Sequence, residues 1–307
     1  METRNLGRAD FWQSLCPYLR ITDHPFTKFA APYEIDDIHK EHFVRAIIEE
    51  GYFQIPSIIP KQQTDMISNA ITDIVSAGFP PPFVLLYDEL WQIFGRLENV
   101  LRPVLGESYY VVPDFWIWKV DPKYESTGWT PHRDEIKKRY ALRSDGRPPL
   151  MTVWIPFTDA TPLNSCIYVL PTHLDPNYPD KIKDFTISYE SLQHIRALPA
   201  TAGSIICWNQ YLLHWGSSRT QWVTNPRISI GIYFQSADVA PFDISLISLN
   251  KSLPFQDRLG IVSYSITKYI DKHYKKKFLP DELLAFCENH SKLYRVCQFI
   301  KKQKDLS

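Results

Sequence analysis

The segment GWTPHRDE carries His132 and Asp134 two residues apart. On a strand, residues i and i+2 project to one face, so an imidazole and a carboxylate would stand side by side. A third ligand must come from a distant segment, and His214, in NQYLLHWGSS, follows about eighty residues on. Two imidazoles and one carboxylate hold three positions of an octahedron. The three left open suit a chelating cosubstrate and dioxygen, the facial arrangement of non-haem iron(II) oxygenases. Taken alone, His-x-Asp is also what a surface histidine beside a solvated aspartate looks like.

Thirteen residues past His214, NPRISIGIYF sets Arg227 at the start of a strand-like run, with Ser229 on the same face. A cosubstrate such as 2-oxoglutarate chelates a metal through its keto oxygen and C1 carboxylate. Its far carboxylate then needs a cation, and a guanidinium offers a planar fork that lysine lacks. A serine two residues on could add a hydroxyl hydrogen bond. Trp116 and Trp118, before His132, and Tyr211 and Trp215, around His214, are candidates for a substrate wall. Each is equally a candidate for ordinary core.

Strands must hold these residues. Tyr109–Val120, Thr152–Phe157, Cys166–Leu170, Ser204–Trp208, Leu212–Trp215 and Ile228–Phe234 are short runs rich in β-branched and aromatic residues, separated by Gly, Pro, Asn and Asp. That spacing predicts an antiparallel sandwich or barrel. Upstream, DDIHKEHFVRAIIEE (36–50) predicts an amphipathic helix with Ile38, Phe43, Ala46 and Ile47 on one face, ended by Gly51. YFQIPSIIP then reads as a short strand, Lys61 to Ala77 as a helix closed by Gly78, and Val84 to Leu101 as a helix stopped by Pro103 and Gly106. Pro17, Pro25 and Pro32 break up the first thirty-odd residues. Residues 262–301 turn helical again. The expected organisation is one domain over 1–307: helices over 36–106, a barrel core over 107–236 and a C-terminal helical extension over 237–307. Leu283, Leu284, Phe286 and Leu293, at helical spacing, suggest a homodimer through that extension.

The ordered blocks resemble the phytanoyl-CoA dioxygenase-like family of iron(II)/2-oxoglutarate-dependent oxygenases. Besides HRD, His214 and Arg227, the blocks TVWIPFTDATPLNSCIYVLPTHL (152–174), AGSIICWNQYLLHWGSS and the GYFQIP opening are similar to the family's, over roughly residues 36–236. The resemblance implies a mainly β fold, a double-stranded β-helix (a jelly-roll, cupin-like barrel) with flanking helices. It implies iron(II) held by His132, Asp134 and His214, and 2-oxoglutarate held by Arg227 and Ser229, with dioxygen as co-reactant. Trp154 falls where the family often has an aromatic beside the cosubstrate, or is a core indole; Asn164 falls on the family's usual asparagine. Ser165 and Thr172 stand where glycines are usual, implying altered turns, and Ser204 replaces an acidic residue. Arg133 stands where glutamine is frequent and could reach the cosubstrate, although strand alternation points it away. The related iron halogenases lose the carboxylate of the triad. Its retention here as Asp134 implies hydroxylation or another oxidation, such as desaturation or ring formation, of a small organic molecule.

Bulk properties fit a globular enzyme. The composition of 44% hydrophobic and 22% charged residues can bury a sizeable core. A formal net charge of zero offers no case for nucleic acid or a membrane surface. The charge is uneven: residues 251–307 hold about twelve Lys/Arg against six Asp/Glu, densest at Lys275–Lys277, which reads as a solvated helix end. Five widely spaced cysteines, no signal-like N-terminus and no long apolar run suggest a reduced, cytoplasmic protein. Three rivals remain at this point: a protein hydroxylase of the same chemistry, a metal-free cupin-like binding protein, and a zinc hydrolase using the same ligands.

Overall fold

The computed structural model of the chain describes residues 5–28, 30–121, 128–137, 141–218, 220–223, 225–241, 246–270 and 279–294. Lys275–Lys277, Cys297 and the side chain of Leu293 lie outside the described set.

Among the described residues, eight strands form two antiparallel sheets. The larger has the order β1 (Tyr52–Ile55), β6 (Ile205–Asn209), β3 (Leu150–Pro156), β8 (Arg227–Ser236), β2 (Tyr109–Val120). The smaller has the order β5 (Arg196–Leu198), β4 (Ile167–Leu170), β7 (Leu213–Gly216). Together they make the double-stranded β-helix, with Trp154, Ile206 and Trp208 of the large sheet meeting Ile167, Val169 and Leu198 of the small one in a common apolar cluster. The strand β1 comes from the region read as N-terminal helices, so the barrel extends beyond 107–236. The short β5 carries too little pattern to be read from sequence.

Strand alternation sorts the large sheet cleanly. Ile228, Ile230, Ile232 and Phe234 of β8, Met151, Val153 and Ile155 of β3, and Ile205 and Cys207 of β6 join the cluster shared with the helices. The alternate residues face the barrel interior. Both faces are covered, which is why β3 and β8 are buried along their whole length. In β2 the register jumps at Pro113 and Asp114, between Val112↔Tyr233 and Phe115↔Ile232. Two extra residues preserve the alternation, keeping Trp116 and Trp118 inward. At the bulge Asp114 accepts from Lys268 Nζ and Tyr269 OH, each at 2.5 Å.

Helices cover the outer face of the large sheet. In α2 (Asp37–Glu49), Asp36 caps the N-terminus by accepting from the His39 N–H at 2.8 Å. Phe43 and Ile47 are buried there, but Ile38, expected on the same face, is exposed. The helix α3 (Lys61–Ser76) ends through Gly78 at φ +88°, with the Phe79 N–H reaching the Ile74 carbonyl. The single helix expected from Val84 to Leu101 is instead four pieces: a 3-10 turn over Pro81–Leu86, α4 (Asp88–Gln92), a 3-10 turn over Ile93–Leu97 and α5 (Glu98–Leu105). Tertiary bonds cause the break. Tyr87 is extended and its hydroxyl donates to the Trp12 carbonyl. Asp88 is drawn to buried Arg258 (2.8 Å) and to Thr22. Pro103 is absorbed in α5, whose last carbonyls accept from Arg143 and Arg147 before Gly106 turns the chain at φ +96°.

The short helix α1 (Ala9–Leu15), read as broken chain, seats Trp12 in the core. The C-terminal helices are α6 (Phe255–Tyr269), starting before the expected residue 262, and α7 (Asp281–Tyr294). Leu283 and Leu284 are buried within the chain, Leu283 in the shared core and Phe286 packed against it. The apolar stripe that suggested a dimer is therefore spent internally at these residues. No helix among the described residues is long and apolar enough to cross a membrane.

Candidate active site and metal centre

One row across the large sheet builds the floor of the site. Trp208 (β6), Thr152 (β3) and Tyr233 (β8) are direct cross-strand partners, so their side chains share a face. All three donate to one carboxylate: Thr152 Oγ1 (2.6 Å) and Trp208 Nε1 (2.8 Å) to Asp134 Oδ2, and Tyr233 OH (3.0 Å) to Asp134 Oδ1. Burial and the facing Asp134 and Asp114 carboxylates push the Tyr233 phenol well above its ordinary range, keeping it a donor.

His132 and Asp134 were expected on a strand. They lie instead on an irregular segment after Pro131, tied to the barrel by one bridge in which His132 and His214 exchange both backbone hydrogen bonds (3.0 Å each). A further bond from the Glu135 N–H to the Gln210 carbonyl (3.0 Å) keeps this segment alongside the loop into β7. The projection of the side chains survives without the strand. Nδ1 of His132 is 2.9 Å from the Thr130 carbonyl and Nδ1 of His214 is 3.0 Å from the Leu212 carbonyl. A carbonyl only accepts, so both Nδ1 atoms carry protons and both Nε2 lone pairs are free. Those Nε2 atoms lie 3.9 and 3.6 Å from Asp134 Oδ1. The three ligand atoms fall within 4.8 Å of one another. Burial lowers the His214 pKa to about 4, so this imidazole is neutral and ready to ligate at physiological pH. Two oriented imidazoles and a carboxylate whose orientation is fixed by outer donors are what a metal centre requires, and the set fits iron(II).

Arg227 lies in the same cavity, 97% buried. Its Nη1 donates to Ser229 Oγ and its Nη2 to Ser165 Oγ at 3.3 Å; its Nε has no partner. The guanidinium also lies 5.7 Å from the centre of the Trp154 ring. No carboxylate among the described residues pairs with it. Burial lowers its pKa to about 10. A buried cation without an anion is costly unless a ligand brings one.

The cavity itself is narrow, about 50 Å³. Six of the nine tryptophans line it: Trp116, Trp118, Trp129, Trp154, Trp208 and Trp215. The next cross-strand row runs Ile206, Trp154, Gly231, Trp116, and Gly231 leaves open the space between two indoles. Trp129 packs on Trp116 and Trp118 with ring centres 4.8 and 4.9 Å apart.

Three expected site residues are elsewhere. Arg133 points away from the metal side, as alternation suggests, and is buried. It donates to the Tyr211 (2.9 Å) and Asp184 (2.7 Å) carbonyls and pairs with Asp175. It pins the His132–Asp134 segment from behind. Arg133→Ala, which strands a buried Asp175, should therefore cost about 3–5 kcal/mol. The urea unfolding midpoint measures this, and a loss below about 1 kcal/mol would contradict the pinning role. Tyr211 contributes its carbonyl to Arg133 and does not line the cavity. Asn164 closes the turn between β3 and β4, accepting from Thr161 N–H (2.6 Å) and donating to the Asp159 carbonyl (2.8 Å).

Of the two other altered positions, Thr172 packs on Gly51 and bonds the end of α2. Ser204 holds the Gly203 turn with Thr201. Sequence reasoning missed Thr152, Trp208, Tyr233, Trp129 and Ser165. Only the inward parity of the first three on their strands was available to find them.

Residues 82–221, just under half the chain, match the family model described as phytanoyl-CoA dioxygenase (PhyH). No curated protein matches the chain by sequence. Among solved structures, the fold is similar to the non-heme alpha ketoglutarate dependent epimerase SnoN from nogalamycin biosynthesis. That match has a TM-score of 0.53 and 14% identity, over 70% of this chain and 86% of that one. It is similar to the carbocyclase SnoK of the same biosynthesis, with TM-score 0.52 and 16% identity over 69% and 88%. It is also similar to HygX from Streptomyces hygroscopicus, solved with nickel and 2-oxoglutarate bound, with TM-score 0.51 and 11% identity over 67% and 88%.

Proposed function

We propose that the chain is an iron(II)/2-oxoglutarate-dependent oxygenase of the phytanoyl-CoA dioxygenase-like type, with a division of labour within the one cavity. His132, Asp134 and His214 hold iron(II), Arg227 and Ser229 hold the distal carboxylate of 2-oxoglutarate, and the tryptophan-walled remainder takes the substrate. The observation that carries this reading is the buried, acid-free Arg227 sharing a cavity with three convergent ligand atoms. A zinc hydrolase or a metal-free binding protein would have no use for that combination.

Iron(II), when bound, supplies the oxidation: dioxygen and 2-oxoglutarate are consumed, succinate and CO2 are released, and the substrate is oxidised. The chain's own part is positional. The Thr130 and Leu212 carbonyls fix both imidazole tautomers, and Thr152, Trp208 and Tyr233 hold the Asp134 carboxylate in one orientation. Arg227 orients the cosubstrate by its far end, and the indoles exclude water.

The substrate is a small organic molecule. With Asp134 and Arg227 committed, the remaining described lining (Trp116, Trp118, Trp129, Ile167, Trp215) carries no charge. That supports an uncharged, ring-bearing portion at the reacting end, as in a natural-product or amino-acid-like metabolite, and hydroxylation, desaturation or cyclisation there. The four cysteines among the described residues are buried and free, in keeping with a cytoplasmic location.

Anaerobic titration of the protein with iron(II) and 2-oxoglutarate should produce a visible charge-transfer band. Its absence in a folded sample would reject the reading. A substrate-library screen for 2-oxoglutarate turnover would then identify the class oxidised.

A further inference from the structure

Ser165 is the sole non-glycine residue among the described ones with positive φ, at +77°. An L side chain rarely adopts this conformation, and glycine is the residue that fits it. The turn does not leave the residue a choice. On its N-terminal side, Asn164 is fixed by its side chain to Thr161 and Asp159, and its N–H reaches the Thr161 carbonyl at 3.1 Å. On its C-terminal side, the Cys166 N–H bonds the same carbonyl at 2.9 Å. A buried serine held there gives up backbone comfort for its hydroxyl, so the hydroxyl's surroundings decide what it is for.

That hydroxyl is fully buried and bonds one side chain, Arg227, through Nη2 at 3.3 Å. It also sits next to Gly216, where an added Cβ would lie 3.4 Å from Ser165 Oγ, and Gly216 lines the cavity. The two Nη atoms of Arg227 are thus each met by a serine, Ser229 on one side and Ser165 on the other. In both contacts the serine oxygen accepts from the guanidinium. A hydroxyl that accepts still has its own O–H to give. The guanidinium brings positive charge, and the two serines bring two unspent donors beside it. The group that completes this constellation accepts several hydrogen bonds and carries negative charge, as a carboxylate does.

We infer that Ser165 is a cosubstrate-binding residue, its hydroxyl donating to the distal carboxylate of 2-oxoglutarate beside Arg227 and Ser229. The inference rests on the proposed role of Arg227 and adds a third arm from the turn between β3 and β4. The strained turn is then the means by which a group from outside β8 reaches the anion.

The test uses full-length protein loaded anaerobically with iron(II), titrated calorimetrically with 2-oxoglutarate and with 2-oxovalerate, which has a methyl group in place of the distal carboxylate. Ser165→Ala and Ser165→Gly should each weaken 2-oxoglutarate by about tenfold or more, the effect of a lost bond to a charged acceptor. Their affinity for 2-oxovalerate should stay within about twofold of the parent's. Ser165→Gly, which relieves the backbone, should melt no lower than the parent while still binding 2-oxoglutarate weakly. That pairing separates ligand binding from a structural role. Unchanged 2-oxoglutarate affinity in both variants, or equal losses for the two ligands with a lowered melting temperature, would overturn the inference. Arg227→Met is the control for the underlying reading. If it weakens 2-oxoglutarate while the Ser165 variants do not, only the inference falls; if it too binds normally, the role of Arg227 falls first.

Discussion

Asp134→Ala should abolish iron-dependent 2-oxoglutarate turnover and also destabilise the metal-free protein. The first effect follows from the donor count. Removing the one carboxylate leaves two neutral imidazoles to hold iron(II), one ligand short of the facial set, and the charge that offsets the metal is gone. Turnover should fall to background, and the visible band of the iron–cosubstrate mixture should disappear. The second effect follows from the carboxylate's partners. Three donors, on Thr152, Trp208 and Tyr233, converge on it from three strands. Each buried donor left unmet costs about 1–3 kcal/mol, although water entering the vacated space recovers part of that sum. A net loss of about 2 kcal/mol, read as a lower urea midpoint, is expected. Asp134→Asn keeps the volume but turns an amide N–H₂ toward one of the donors, so it should lose the metal with a smaller stability change. Wild-type iron affinity in either variant would remove Asp134 from the centre.

This double role of Asp134 shows what was and was not legible in the chain. The strands could be read because their β-branched and aromatic runs are bounded by turn residues; β2 matches its expected span at both ends. The chemistry of β8 was legible for a related reason. In RISIGIYFQ one parity is Ile, Ile, Ile, Phe and the other Arg, Ser, Gly, Tyr, Gln, a core face and a site face. The triad itself could be read from residue type and order. The row that holds Asp134 could not. It depends on the register that sets residue 152 opposite 208 and 233, and strand register is set by turns and packing far from each residue.

Arg133 escaped for a similar reason, since its partner Asp175 is 42 residues away and nothing local advertises it. The fragmentation of 81–105 arises from bonds of Tyr87 to Trp12 and of Asp88 to Arg258, which local helix propensity does not contain. Serine as a residue type says nothing of φ at position 165; the resemblance set it where glycine is usual and implied an altered turn, whereas the turn keeps a glycine-like φ of +77°.

Arg227→Met is the sharpest separation of stability from function that the site allows. The guanidinium is buried, its pKa is lowered to about 10 by that burial, and no described acid offsets it. Replacing such a cation with an apolar side chain of similar length removes a desolvation cost, while the hydroxyls of Ser165 and Ser229 lose one bond each. On balance the metal-free variant should be as stable as the parent or more so, by up to about 2 kcal/mol. Cosubstrate binding should move the other way. A dicarboxylate whose far end enters a site without its cation forfeits about 2–5 kcal/mol, a loss of roughly one and a half to three and a half orders of magnitude in affinity.

Thermal unfolding reports both quantities in one experiment. A ligand that binds only the folded state stabilises it in proportion to the logarithm of its concentration over Kd. The parent, loaded with iron(II), should melt higher as 2-oxoglutarate is added. The variant should start no lower and barely respond. Arg227→Lys keeps the charge but loses the fork, so it should fall between the two. A variant that melts lower and still shows the full 2-oxoglutarate shift would mean that Arg227 braces the barrel and that the anion binds elsewhere.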